Sequence, residues 1–343
     1  MNQPKAIAAE AHHDAYFSGD WEAKLGSPHE NPEGLHDRYK KEKPHYALTA
    51  TQYFGFHVPD ARIHALLYEW HHPNLGVISA GPMVWRGIKP SQLSCELYDY
   101  RAYMSDSALG ANMEAYRLDN GYCVEVEGAG RSFRTTYEDP SRNNSYDVRH
   151  VPVTDRLWWP SGRQFEQVMR TTGEVVLRGK RYAIDGFHVR DRSWGELRME
   201  EPFQSPPLGW TTGVFDEGFS FMVTASDDPE LNPVWKGRYN IESKDTLKFG
   251  WMVVDGTPIA VARIRKLTTY DERRFPQTVT MELTDTRGRK FEIKGRVLAD
   301  SPCLAWPNCL VHICCFRWEC NGQVGHGDHQ EAQWTDFLQT DEN

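Results

Sequence analysis

Between His188 and Trp194 the sequence reads HVRDRSW, which sets an imidazole, a carboxylate, two guanidiniums and an indole close together at the end of an apolar alternation. Arg190 and Arg192 on either side of Asp191 have two readings. They hold an ionised acid in place for chemistry, or they form an Arg-Asp-Arg clasp whose role is structural. His64, Asp99 and His312 are further titratable residues on strand-like stretches, with Tyr53, Tyr68, Tyr98 and Tyr100 nearby in sequence. A β-walled cavity lined by such groups offers acids that protonate a carbonyl or double bond, and aromatic faces that stabilise a developing cation. For His64 and His312 the plain alternative is a packed, hydrogen-bonded core histidine.

Other chemistries lack their motifs. The chain has no GxGxxG opening a helix, no P-loop, no GxSxG elbow and no HExxH. Seven cysteines without a CxxC pair, and without a signal peptide, read as reduced thiols in the cytoplasm. Cys314 and Cys315 are neighbours in a strand-like run and point to opposite faces, so they do not share an ion. His12, His13 and His29 in the N-terminal arm, and His326, Asp328 and His329 in GHGDH, are ligands on paper; a solvated arm and a Gly-rich surface turn are the simpler readings. No metal and no cofactor are expected.

The elements that must position these groups are β-hairpins. Glu174 to Gly195 reads as one, turning at Gly179-Lys180. Asp119-Asn120-Gly121, Asp255-Gly256 and Arg287-Gly288 mark three more turns. In RIHALLYEW one face carries Arg62, His64, Leu66, Tyr68 and Trp70 and the other Ile63, Ala65, Leu67 and Glu69, a wall with two mixed faces. In Cys309 to Cys320, His312, Cys314, Phe316, Trp318 and Cys320 share a face. Residues 152 to 173 look irregular, with a helical turn at Gln164 to Arg170. Helical periodicity is almost absent apart from short stretches at Ala6 to Phe17 and Pro32 to Lys41.

The fold expected is therefore all-β, two antiparallel meanders behind an irregular N-terminal arm. At 343 residues the chain exceeds a usual single core. The Pro-rich MEEPFQSPPLGW, which denies regular structure, separates residues 51–197 from 198–343, with 1–50 as the arm. The 12 Trp, 15 Tyr and 15 Phe suit wide sheets or an aromatic pocket. A net charge of -9 with scattered basic residues argues against a nucleic-acid partner. No apolar run approaches a membrane span. The expectation is a cytoplasmic protein, compatible with a homodimer.

HVRDRSWG with the hairpin VVLRGKRYAIDG before it, the stretch YFGFHVPDARIHALLYEWHHPNLGVISAGPMVW and the terminal VGHGDHQEAQW together resemble the carotenoid 1,2-hydratase (hydroxyneurosporene synthase)/AttH-like superfamily, in its RDRSWG-containing bacterial branch. The likeness spans roughly residues 50 to 335. It implies two lipocalin-like barrels packed together with a ligand cavity in or between them, and chemistry without metal or nucleotide on bulky apolar molecules. Asp191 and Trp194 are the corresponding positions, although the flanking arginines depart from the DHxWG form of the carotenoid enzymes.

The function expected is a cofactor-independent lyase, a hydratase, dehydratase or aldehyde-eliminating enzyme such as a formaldehyde lyase, acting on a bulky hydrophobic alcohol, alkene or lignin-type aromatic. Asp191, His188, Tyr98, Asp99 and His312 are its candidate acid/base groups. Tyr53, His64, Tyr68, Trp70, Trp85, Tyr100, Arg190, Trp194 and Trp318 are candidates for binding the substrate. The rivals are a lipocalin-like carrier with an inert pocket and an isomerase or cyclase of a terpenoid, steroid or polyene.

Overall fold

In the computed structural model of the chain, residues 48–109, 115–127, 132–197, 205–232, 238–239, 241–306 and 308–339 are described. The expected arm, its short helices and His12, His13 and His29 lie outside them. Twelve strands form one curled sheet and eight close into a barrel, so the chain is two lipocalin-like β-units packed together.

The sheet begins with β1 (Leu48–Val58), β2 (Ile63–His72) and β3 (Val77–Arg86), edged by β4 (Leu97–Tyr98) and β5 (Arg101–Ser105). It continues through β6 (Tyr116–Arg117), β7 (Cys123–Glu127), β8 (Ser132–Asp139), β9 (Asn144–Pro152) and β10 (Leu157–Trp158). The long hairpin of β11 (Gln164–Leu177) and β12 (Lys180–Leu197) completes it, with β12 returning beside β1. The barrel runs β13 (Leu208–Asp216), β14 (Phe219–Ala225), β15 (Leu247–Val254), β16 (Thr257–Tyr270), β17 (Pro276–Asp285), β18 (Lys290–Trp306), β19 (Cys309–Cys320) and β20 (Gln323–Trp334), and closes where β20 pairs with β13. A helical turn, Thr335–Leu338, follows.

Period-two burial explains how the units meet. Along β2, Ile63, Ala65 and Leu67 join the sheet's own core with Phe54, Phe56 and Val84. The alternate residues look the other way, and Leu66 packs with Tyr53, Met83 and Trp85 against Val311, Ile313 and Cys315 of the barrel. A second seam joins Val168 and Val189 of the sheet to Val214, Met222 and Trp251 of the barrel. The barrel's inner face takes Cys314, Phe316, Trp318 and Cys320, as their shared parity requires.

Three local expectations are corrected. The β11–β12 turn sits one residue earlier than expected, because Leu177 pairs with Lys180 and the positive φ angles fall on Arg178 (51°) and Gly179 (81°). Gln164 to Arg170 is strand, not a helical turn. GHGDH is not a surface turn: it lies inside β20, with Asp328 and His329 fully buried. Its glycines answer a close approach of β13, since a Cβ on Gly327 would stand 2.2 Å from the Thr212 carbonyl oxygen and one on Gly325 2.6 Å from that of Val214. No helix among the described residues is long and apolar enough to cross a membrane.

Candidate active site

A cavity of about 360 Å³ opens between sheet and barrel, within the range of small-molecule sites. The sheet supplies Tyr53, Leu66, Tyr68, Trp70, Met83, Tyr100, Trp159, Gln164, Asp191 and Ser193, and the barrel side Trp210, Thr224, Val311, Ile313, Gln330 and Ala332. Leu304, 62% exposed, stands at the rim with Cys303 and Ala305. The wall is mostly aromatic and aliphatic, and among the described residues Asp191 is its one carboxylate.

Asp191 faces the cavity because it shares parity with Val189 and Ser193, while Arg190 and Arg192 have the opposite parity. Arg190 is buried in the sheet's interior, its guanidinium 4.3 Å from the centre of the Phe133 ring and donating to Gln52 Oε1 at 2.8 Å. Burial pulls the Arg192 guanidinium down to about 9.

Directly opposite Asp191 in the ladder is Glu166 on β11, fully buried. Three indoles donate to its carboxyl, Trp159 at 2.7 Å, Trp251 at 3.2 Å and Trp210 at 3.4 Å. One amide ties the two acids together: Gln164 Nε2 donates to Glu166 Oε1 at 3.2 Å and to Asp191 Oδ2 at 2.9 Å. Burial, and then the negative charge of Asp191, push the Glu166 carboxyl up to about 8, and the indole donors only partly offset them. At neutral pH the pair therefore holds a proton beside an apolar cavity.

This proton has a stability signature. A carboxyl whose pKa is higher in the folded chain (about 8) than unfolded (near 4.5) stabilises the fold below the lower value, and that stability is lost as pH rises through the higher one. Glu69, raised to about 7 by burial, acts in the same sense, is half titrated at pH 7 and is nearly spent by pH 8. Burial lowers His57, His150, His326 and His329, whose linkage has the opposite sign and fades above 6.5 as the unfolded histidines lose the rest of their protons. Between pH 7 and 8 the melting temperature is expected to fall, with a slope of up to about 1.4 kcal/mol per pH unit. In Glu166→Gln that slope should flatten; thermal melts of both proteins across the window check it.

A second polar cluster lies where Tyr53 leaves the cavity wall. Its hydroxyl donates to Asp328 Oδ1 at 3.2 Å, with His64 Nε2 at 2.9 Å from the same oxygen and His188 Nε2 at 3.1 Å from Oδ2. The imidazoles hold the Asp328 carboxyl well below the usual carboxylate range against the cost of burial. Burial and the Asp328 charge push the Tyr53 phenol up, so it keeps its proton. His188 has the inward parity of Arg190, yet its ring reaches Asp328. Pairing of β1 with β12 ends at Tyr53↔Asp191, and Gly55 leaves the space: a Cβ there would stand 2.5 Å from His188 Nε2.

Of the candidates read from the sequence, Asp191, Tyr53, Tyr68, Trp70 and Tyr100 line the cavity, and His64 and His188 lie behind Tyr53 at Asp328. The others sit elsewhere. Tyr98 accepts from Gln92 at 3.2 Å and lines a separate groove with Cys95 and Arg142. Asp99 accepts from the Tyr137 hydroxyl at 2.6 Å and pairs with Arg101. His312 is inside the barrel, 2.8 Å from Asp300. Trp85 is buried edge-on to His64, Trp194 packs on Trp158 and Phe165, and Trp318 stacks on Phe316 in the barrel core. Glu166, Gln164, Trp159 and Trp210 were not among the candidates, and Asp328 was read only as a ligand on paper in a surface turn.

A model of a family described as a domain of unknown function (DUF7064) matches residues 33–336. No curated protein matches the chain. Among solved structures, kievitone hydratase from Nectria haematococca is 11% identical, covering 86% of this chain and 92% of that one at a TM-score of 0.52. A putative AttH from Nitrosomonas europaea is also 11% identical, with 83% and 92% covered and a TM-score of 0.50. CghA, again at 11%, covers 93% and 96% at a TM-score of 0.51. At such identities the likeness is one of fold.

Proposed function

The chain belongs to the DUF7064 family, a domain of unknown function, and we propose that it is a lyase that removes water from, or adds it to, a bulky hydrophobic alcohol or alkene in the cavity between sheet and barrel. The observation that carries this reading is the Glu166–Asp191 carboxyl pair on an aromatic wall. A protonated carboxyl beside apolar surface is the arrangement a general acid needs. Kievitone hydratase, by its name a hydratase, has the same fold, which supports the choice of reaction.

The step balances with one carboxyl. Asp191 takes over the proton that Glu166 holds at rest and gives it to the substrate's hydroxyl oxygen. The carbon–oxygen bond breaks and water leaves. The electron-poor carbon faces the rings of Tyr68, Trp70, Tyr100, Trp159 and Trp210. The Asp191 carboxylate then takes a proton from the adjacent carbon, whose bonding pair becomes the double bond. Hydration is the same path reversed. Asp191 is the catalytic residue of this scheme, and Glu166 and Gln164 are positioning residues that hold its proton and its orientation.

The test is incubation of the purified chain with a panel of hydroxylated aromatics, terpenoid and steroid alcohols and the matching alkenes, followed by mass spectrometry. Gain or loss of one water by a panel member supports the proposal. Ligands that bind tightly and are recovered unchanged would make the protein a carrier.

A further inference from the structure

Beyond the cavity, register sets two cross-strand pairs against each other at the seam. His57 pairs with His64 across β1 and β2, and Cys315 pairs with Asp328 across β19 and β20. One donor atom from each of His57, His64 and Cys315 lies within 4.8 Å of the other two, and Asp328 Oδ1 is 2.9 Å from His64 Nε2. All four are buried, none more than 4% exposed.

The nitrogens there are poorly served. Neither ring nitrogen of His64 has a hydrogen bond of acceptable geometry, so Nε2 is near the Asp328 carboxylate without being aimed at it, and His57 Nδ1 is likewise unpaired. Buried polar atoms without partners are uncommon and call for an explanation such as an ion. We propose that His57, His64, Cys315 and Asp328 bind a divalent transition-metal ion, zinc by the chemistry of the donors, which pins the sheet to the barrel.

Two imidazoles, a thiolate and a carboxylate are a donor set suited to four-coordinate zinc, with bonds of roughly 2.0–2.3 Å. Such bonds require the donors to draw together by on the order of 1 Å. The Asp328 oxygen beside His188 would form the outer hydrogen bond that ligating carboxylates usually have. Burial keeps the Cys315 thiol protonated in the absence of an ion, so metal uptake would release that proton. Sequence spacing could not reveal the site, because each ligand comes from a different strand.

The experiment is titration of the full chain, first dialysed against chelator, with cobalt(II) as the probe and zinc as competitor. The expected result is one cobalt per chain with a thiolate-to-metal charge-transfer band in the near ultraviolet, displaced by zinc and lost in Cys315→Ser. The metal should also raise the melting temperature of wild type and leave that of His57→Ala unchanged. Because the wild-type spectrum does not depend on how any variant folds, a folded chain that binds no cobalt, or binds it without the thiolate band, overturns the proposal. A band that survives in Cys315→Ser does the same, since it would come from another cysteine.

Discussion

Asp191→Asn is expected to cut turnover by about 10²- to 10⁴-fold, the usual contribution of a general acid/base group, while leaving the melting temperature unchanged or slightly higher. The amide keeps the shape of the side chain, so the cavity wall and the contact with Gln164 persist in outline. What disappears is the only carboxylate that the described residues bring to that wall, and the negative charge that helps keep Glu166 protonated. Activity assays on the panel substrate alongside thermal melts separate the outcomes. A collapse in stability, rather than in rate, would mean that Asp191 is a structural clasp.

Asp328→Ala is expected to be among the most destabilising single changes in the chain, at about 3–5 kcal/mol, the range found when one partner of a buried ion pair is removed. Asp328 is fully buried and gathers groups from three sheet strands, Tyr53 of β1, His64 of β2 and His188 of β12. Alanine would leave the Tyr53 hydroxyl and two imidazoles facing an empty space at the seam. The Tyr53 hydroxyl would lose its hydrogen-bond acceptor and the imidazoles the carboxylate charge beside them, with no water gained in return. Denaturant unfolding gives the size of the effect, and a change below about 1 kcal/mol would mean that the cluster contributes only as a typical surface pair does.

How far the sequence carried is seen best in β2 and β20. RIHALLYEW alternates between two faces, and both are found as read: one builds the sheet's core and the other meets the barrel and cavity. The Asp255-Gly256 turn is also where expected, with positive φ at both residues (53° and 74°). In β20, by contrast, Gly325 and Gly327 look like turn residues because a sequence does not say which backbone will pass over them. Their reading as a loop removed Asp328 from consideration. Glu166 was lost in the same way, since Gln164 to Arg170 lacks a clean apolar alternation. The three indoles that gather around its carboxyl arrive from β13, β15 and the segment before β11.

Aromatic residues show a different limit. Tyr53, Tyr68, Trp70 and Tyr100 line the cavity, whereas Trp85, Trp194 and Trp318 fill cores. Residue type serves both uses equally, because a large ring gains as much from a packed interior as from a binding wall. Parity within a strand decides between them only when the neighbouring layer is known. The HVRDRSW segment makes the point, since alternation correctly parts Asp191 from Arg190 and Arg192 but fails for His188, whose ring crosses to the other side over Gly55.

The proton held by Glu166 and Asp191 is the centre of this account, and infrared spectroscopy observes it without knowledge of the substrate. At pH 7 wild type should show a protonated-carboxyl C=O stretch that is missing from Glu166→Gln and fades as pH passes through about 8, apart from any signal of Glu69 fading near 7. A Glu166→Gln spectrum identical to wild type in that region at pH 7 would mean that both acids are ionised and that the cavity holds no acid to donate.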